Sequence, residues 1–441
     1  MNLNKIKFFN LNSNQKNRLK KNIFSGFTTE TFQIISQIFF APLMIFFWGV
    51  DNFGIWVFLL SIPNIFLIFN INFTDASIHE LTKFNTQKKF RKAEEIFQNS
   101  LILILLNIFI FTSLILLFYY FNKIDFTILK DFTQNEIFLI LILLIISIYF
   151  NLIGSIFTTV LNSQGKIYYG YNIGLITDLL SKLSIAISGF FFESLFYPAL
   201  IFLAYTIIKF ILNYYFFLLH KKNLFFSFNL VSKQKIVHLA KLSIGHTADL
   251  LTNVTKNSGI IIILGIFYDP YLVGYIATVR TLFYFFPIRF IGKLTTAISY
   301  EFSRLFSENK KKFLKKYLYT FSKLTFFLTT ILFILSMTIG PFIYKLWLNN
   351  KYQLDVFFLL IILIDTNLFI LRNSVVSLFS AINKNLILGL SELFLILITI
   401  TLFYLINSFG YSYLYAFTCF IIGSLLSLLF AIKYSMNYFK L

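Results

Sequence analysis

The sequence predicts an all-α, polytopic membrane protein with twelve transmembrane helices in two six-helix bundles that repeat one another. Three observations predict it. The 441 residues are 58% hydrophobic and only 13% charged, with a mean hydropathy of +0.78. Twelve apolar stretches are long enough to cross about 30 Å of hydrocarbon. The segments between those stretches alternate sharply in their Lys and Arg content.

The stretches run roughly over 23–48, 52–73, 98–121, 137–161, 171–192, 195–219, 243–268, 271–298, 318–344, 355–382, 385–407 and 411–432. The first follows a basic segment (Lys5, Lys7, Lys16, Arg18, Lys20, Lys21) and ends at a tight turn, Trp48 to Gly54. The second returns to Asp75 and a loop bearing Lys83, Lys88, Lys89, Arg91 and Lys92. The third and fourth flank a short segment with only Lys123 and Lys130. Lys166 separates the fourth from the fifth, and no basic residue lies between the fifth and sixth. Lys221, Lys222, Lys233, Lys235 and Lys241 precede the seventh. The turn Phe267 to Gly274 joins it to the eighth. Arg304, Lys310, Lys311, Lys312, Lys315 and Lys316 precede the ninth, Lys345 and Lys351 follow it, and Lys384, Lys433 and Lys440 complete the basic side. Basic loops are retained in the cytoplasm, so both termini are expected there, which an even number of spans requires. This makes the expectation a multi-pass membrane protein with both ends on one side.

Several function classes fall away. The formal net charge of +20 resides mainly in these loops, where topology and anionic lipid account for it, so the bilayer and not nucleic acid is the expected partner. Cys419 is the single cysteine and lies in an apolar span, which leaves no disulfide and no thiolate metal site. The four histidines are scattered without metal spacing, and no cofactor is expected. Gly165-Lys166 lacks the upstream Gly and the following Ser or Thr of a phosphate-binding loop. The first apolar run is too long for a cleavable signal sequence. The longest loops are short, so there is no soluble domain and the reading is of a protein that is not an enzyme. The bias toward Phe, Ile, Asn and Lys is attributed to an AT-rich coding sequence.

The halves, 1–220 and 221–441, look like repeats. With Lys20 set against Lys241, Gly26 falls near Gly245, Glu30 near Asp249 and Gly54 near Gly274. Six spans per half give both halves one orientation. That implies a pseudo-two-fold axis along the membrane normal and a substrate path between the bundles.

A charge at the bilayer centre costs roughly 2.5–3.5 kcal/mol, which makes intramembrane charges functional candidates. Gly26, Glu30, Gln33 and Gln37 share one face of the first span, and His246, Asp249, Asn253 and Lys256 one face of the seventh. Both stripes are expected to line the gap between halves; the alternative is hydrogen bonding inside a packed bundle. The eighth span carries Arg280 and Tyr284 on one face and Arg289 and Lys293 on another. Arg280 either pairs with Glu30 or Asp249 or binds an anion, and the two roles are compatible. Arg289 and Lys293 lie near the cytoplasmic end, where they can snorkel. Asp365 and Arg372 share a face about 10 Å apart along the axis. Asp178 and Lys182 are expected to neutralise each other, and Lys209 and Glu392 have no local partner. Cations outnumber anions among these residues. An excess of cations suits an anionic cargo, and arginine in particular suits phosphate.

These features resemble a Wzx-type polysaccharide-repeat flippase of the multidrug/oligosaccharidyl-lipid/polysaccharide (MOP) exporter superfamily. The likeness rests on the basic N-terminus, Gly49-Val50-Asp51-Asn52-Phe53-Gly54-Ile55-Trp56 at the first outer turn, Asp75-Ala76-Ser77 closing span two, Gly274-Tyr275-Ile276-Ala277 in the second half, and Arg280. One departure stands out. A Gly commonly follows the acidic residue that closes span two, with a basic residue beyond it; here Ala76, His79 and Lys83 occupy that region. The resemblance implies flipping of undecaprenyl-diphosphate-linked oligosaccharide by alternating access for O-antigen, capsule or similar lipopolysaccharide or polysaccharide biosynthesis, with the glycan polymerase and chain-length regulator as further partners. Arg280, Lys256, Arg372, Lys209, Arg289 and Lys293 are the substrate-binding candidates. Glu30, Asp249 and Asp365 are the ion-coupling or gating candidates, for a proton or sodium ion. Gln33, Gln37, His246, Asn253 and Tyr284 form the polar stripe. The rival readings are a cation-coupled multidrug antiporter of the same superfamily, a lipid II flippase and a glycan polymerase.

Overall fold

A computed structural model describes residues 13–65, 73–121, 127–130, 132–220, 229–307, 310–382 and 384–440. The side chains of Glu30, Asp75, His79, His246, Asp249 and Lys293 lie outside the described residues. The helices are α1 (Ser13–Ile65), α2 (Phe73–Thr86), α3 (Phe90–Phe121), α4 (Gln134–Ser163), α5 (Ile167–Ser188), α6 (Phe196–His220), α7 (Lys233–Val254), α8 (Ile260–Phe267), α9 (Pro270–Arg280), α10 (Phe286–Ser307), α11 (Lys311–Thr338), α12 (Gly340–Trp347), α13 (Val356–Ala381), α14 (Leu386–Ser408) and α15 (Tyr413–Lys440). No strand occurs among the described residues.

Among those residues, ten stretches are long and apolar enough to cross a membrane, where the sequence led us to expect twelve. One of the ten, Phe24–Asn64, covers the expected first span and most of the second. It breaks into two rods at Gly49, whose φ of 83° and ψ of 171° lie in a region open essentially to glycine alone. The expected fifth span falls on α5, which is not among the ten. Large apolar side chains such as Phe46, Phe109, Phe190, Phe327 and Phe394 are exposed, while much of the polar inventory is inside. That inversion suits a hydrocarbon surround.

Local chemistry sets the helix ends on the side bearing the short loops. Asp269 accepts from the Leu272 amide at 2.9 Å and Pro270 occupies the first turn of α9. This is a favoured start, because a proline there forfeits no helical hydrogen bond. Asp355 caps α13 through the Phe357 amide at 2.8 Å, and Thr133 with Glu136 forms a reciprocal capping box on α4.

Three apolar clusters hold the molecule together. The largest joins the halves, with Met44, Trp56 and Phe58 of α1, Leu264 of α8, Ile276 and Val279 of α9, and Phe358 of α13. The two smaller clusters adjoin the basic loops and stay apart. One gathers Phe97, Phe157 and Phe217 with Leu239. The other gathers Phe302, Phe321 and Phe379. The halves thus share their largest core at the end bearing the Gly49 turn; toward the basic loops, among the described residues, the first half packs only on the start of α7, through Leu239, and the third cluster lies wholly within the second half.

Glycine makes the closed end possible. α1 packs on α9, and a Cβ on Gly54 would collide with the Pro270 carbonyl. One on Gly274 would collide with the Tyr352 hydroxyl, with the Val50 carbonyl 3.3 Å away. The two glycines that align in the repeat therefore meet across its interface. Close backbone approach through small residues is how membrane helices gain packing. Hydrogen bonds fasten the same end: Tyr352 Oη donates to Val50 O at 3.2 Å, Trp347 Nε1 to Ile38 O at 2.8 Å, and Thr127 Oγ1 to Ile266 O at 2.7 Å.

Candidate functional site: a cationic cleft between the halves

Below that seal, α1 and α5 face α9, α10 and the turn before α8 across a cavity of about 470 Å³. Its first-half wall includes Gln33 and Gln37 of α1 and Asp178 and Lys182 of α5; its second-half wall includes Arg280 and Arg289. Among the described residues three cations and one carboxylate therefore line it, and that carboxylate is engaged, since Lys209 Nζ donates to Asp178 at 3.2 Å. Arg289 is exposed on the wall, and Lys182 donates to Ser36 Oγ at 3.0 Å.

Arg280 is 3% exposed, yet it lines the cavity. Its guanidinium donates to Lys256 O at 3.1 Å, to Asn257 O at 3.3 Å and to Asn257 Oδ1 at 3.3 Å. It also sits over the Tyr284 and Phe285 rings at 5.4 and 5.3 Å. Among the described residues it has no carboxylate partner. Two π-turns build this position, Thr255–Gly259 between α7 and α8 and Thr281–Phe285 between α9 and α10. A π-turn disturbs the regular i to i−4 ladder and leaves carbonyls available to other donors; Arg280 takes two of them. Pro287 enforces the second turn, because it has no N–H for the Phe283 carbonyl. Thr366 Oγ1 supplies the missing donor at 3.2 Å.

The remaining candidates separate into internal pairs. Lys256 is 5% and Asp365 3% exposed, and they form an ion pair at 3.0 Å inside the second half, with Ser424 donating to Asp365. Lys256 Nζ also lies 5.2 Å from the Tyr284 ring, so Tyr284 is buried between two cations and does not line the cleft. Arg372 pairs with Glu392, and both line, with Asn253, a cavity of about 440 Å³ within the second half. Lys209 belongs to a cavity within the first half. Sequence spacing had grouped Lys256, Arg372 and Lys209 with Arg280 in one lumen. The structure instead gives each a carboxylate on a neighbouring helix, since an unpaired charge is costlier than a paired one. Glu392, expected to be alone, is paired. Asp178 takes Lys209 and not Lys182, its neighbour one turn along the same helix. Arg280, Arg289, Gln33 and Gln37 do line the cleft. Asn257, Ser258 and Lys182, which had not been assigned to it, join them.

The fold has solved counterparts. Lipid II flippase MurJ in an inward closed conformation matches with a TM-score of 0.67 at 16% identity, over 93% of this chain and 87% of that one. An inward-facing multidrug resistance MATE family transporter of the MOP superfamily matches at 0.61 and 12% identity, over 93% and 94%. A MOP superfamily transporter from Pyrococcus furiosus, described as having a binding pocket of reversed polarity, matches at 0.58 and 12% identity, over 93% and 95%. No family model matches the sequence, and no curated protein is similar to it in sequence. The chain therefore has the fold of MOP superfamily transporters, a multi-span helical membrane architecture.

Proposed function

We propose that this protein is a membrane transporter that flips undecaprenyl-diphosphate-linked oligosaccharide across the bacterial inner membrane by alternating access, for O-antigen, capsule or a related surface polysaccharide. The observation that carries the reading is the cleft itself. A buried arginine without a carboxylate partner among the described residues, together with Lys182 and Arg289, faces a cavity of about 470 Å³. A guanidinium in a low-dielectric wall binds a diphosphate through parallel charge-assisted hydrogen bonds. With the basic loops cytoplasmic, the closed end faces outward and the cleft opens inward, where the lipid-linked precursor is assembled. The polyprenyl tail stays in the bilayer beside the two halves while the head group enters. The glycan polymerase and chain-length regulator are the expected downstream partners.

The chemistry disfavours a multidrug antiporter, because an excess of cations repels a cationic drug. Coupling to a proton or sodium ion falls to Glu30 or Asp249, since Asp365 is already neutralised by Lys256. Glu30→Gln and Asp249→Asn are expected to abolish gradient dependence without unfolding the protein. Unchanged dependence in both removes ion coupling from the mechanism.

The deciding experiment uses a strain lacking its own repeat-unit flippase, given this chain and the matching glycan genes. Surface polymer is expected with the native chain and lost with Arg280→Gln at equal membrane abundance. No polymer from the native chain, with precursor accumulated on the inner face, overturns the proposal. Rescue of peptidoglycan precursor export in its place would favour the lipid II reading.

A further inference from the structure

We infer that the uncharged sugars of the cargo are held in a second cavity, inside the first-half bundle, beside the cleft that takes its anionic link. This rests on the export reading above. The second cavity measures about 390 Å³, within the range of small-molecule sites. It is lined by α1, α4, α5 and α6, and its polar wall includes Asn151, Ser155, Thr158, Asn162 and Asn213.

Three features suit it to a sugar. The side-chain oxygens of Asn162 and Asn213 are buried there without a hydrogen-bond partner. An unmet buried acceptor costs about 1–3 kcal/mol, and a turn of either amide toward the cavity would let a guest hydroxyl meet it. Tyr171, Phe150 and Phe210 contribute aromatic surface, which matches the C–H face of a pyranose. Among the described residues the charges in the wall are Lys209 and Asp178, and they are bonded to each other at 3.2 Å, so these two offer little to a net anion. It is therefore the chemical complement of the cleft. Gln33 and Asp178 line both, which makes the two cavities neighbours sharing a wall. A head group with a diphosphate at one end and hydroxyls at the other finds a matching room for each.

The test measures binding to the purified full chain in lipid nanodiscs. One probe is undecaprenyl diphosphate without sugar; the other is the same lipid bearing a neutral trisaccharide. The glycosylated lipid is expected to bind at least about tenfold tighter, a difference of about 1.4 kcal/mol. Free trisaccharide should compete with it while leaving the bare lipid unaffected. Asn162→Leu and Asn213→Leu should erase the advantage and keep bare-lipid affinity, whereas Arg280→Gln should weaken both lipids alike. Equal binding of the two lipids to the native chain means that the cavity holds water only, and overturns the inference whether or not the variants fold. An advantage that survives both asparagine changes overturns it as well. No binding of the bare lipid to the native chain overturns the export reading and this inference with it.

Discussion

At the scale of single residues, the second half stores two buried ion pairs, and their energetics are asymmetric. Removing one partner leaves an uncompensated charge and costs about 3–5 kcal/mol, whereas replacing both with apolar groups of similar size is often neutral. Lys256→Met and Arg372→Gln are therefore expected to lower unfolding free energy in micelles by about 3–5 kcal/mol each. Lys256→Met combined with Asp365→Leu should recover most of the first loss; a double variant no better than the single one would show that Asp365 does not respond to Lys256. These pairs are also where reading the sequence reached its limit. Helical spacing tells which residues share a face but not which neighbour that face meets. Asp178 and Lys182 sit one turn apart, yet the first bonds to α6 and the second to α1. The π-turn beginning at Thr255 adds a residue to one turn, so face arithmetic carried from His246 to Lys256 drifts off azimuth. Arg280 was legible because nothing within its own span can neutralise it.

At the scale of elements, the crossing of α1 over α9 depends on having no side chain at two positions. Gly54→Leu is expected to part the halves at their closed end, raising the labelling rate of a cysteine placed at Val57 and abolishing export; an unchanged rate would mean that the crossing tolerates bulk. Gly49 carries a different constraint, conformational and not steric, since no atom lies within 4 Å of where its Cβ would be. Gly49→Ala should cost about 1–3 kcal/mol of stability, read by thermal unfolding, with less effect on the crossing itself. The turns at Trp48–Gly54 and Phe267–Gly274, and the matched glycines within them, were plain in the sequence because turn chemistry is local. That those glycines pack against each other was not, because contact between repeats is a property of the assembled pair. The π-turns left only Pro287 as a trace.

At the scale of the whole molecule, two halves that share their largest apolar cluster at one end, and among the described residues meet at the other only through the start of α7, form a natural rocker. Spin labels at Glu136 and Lys345, on exposed positions of opposite halves near the closed end, should separate when the cleft turns outward. Labels at Lys89 and Lys315, near the basic loops, should approach one another. Distances unchanged by lipid-linked diphosphate in both pairs would rule out rocking as the response to cargo. Hydropathy and the alternation of basic loops revealed this architecture in outline, because the bilayer imposes both on any chain that crosses it.

The bend at Gly49 also makes α1 a lever of two helical arms. Its first arm carries Gln33 and Gln37 into the cleft; its second arm is clamped to the other half. From Gly26 to the pivot the arm is about 34 Å long, so a swing of about 10° moves its far end by about 6 Å. One glycine torsion thereby converts a small twist at the sealed end into a displacement the width of a head group at the other, with no helix having to unwind.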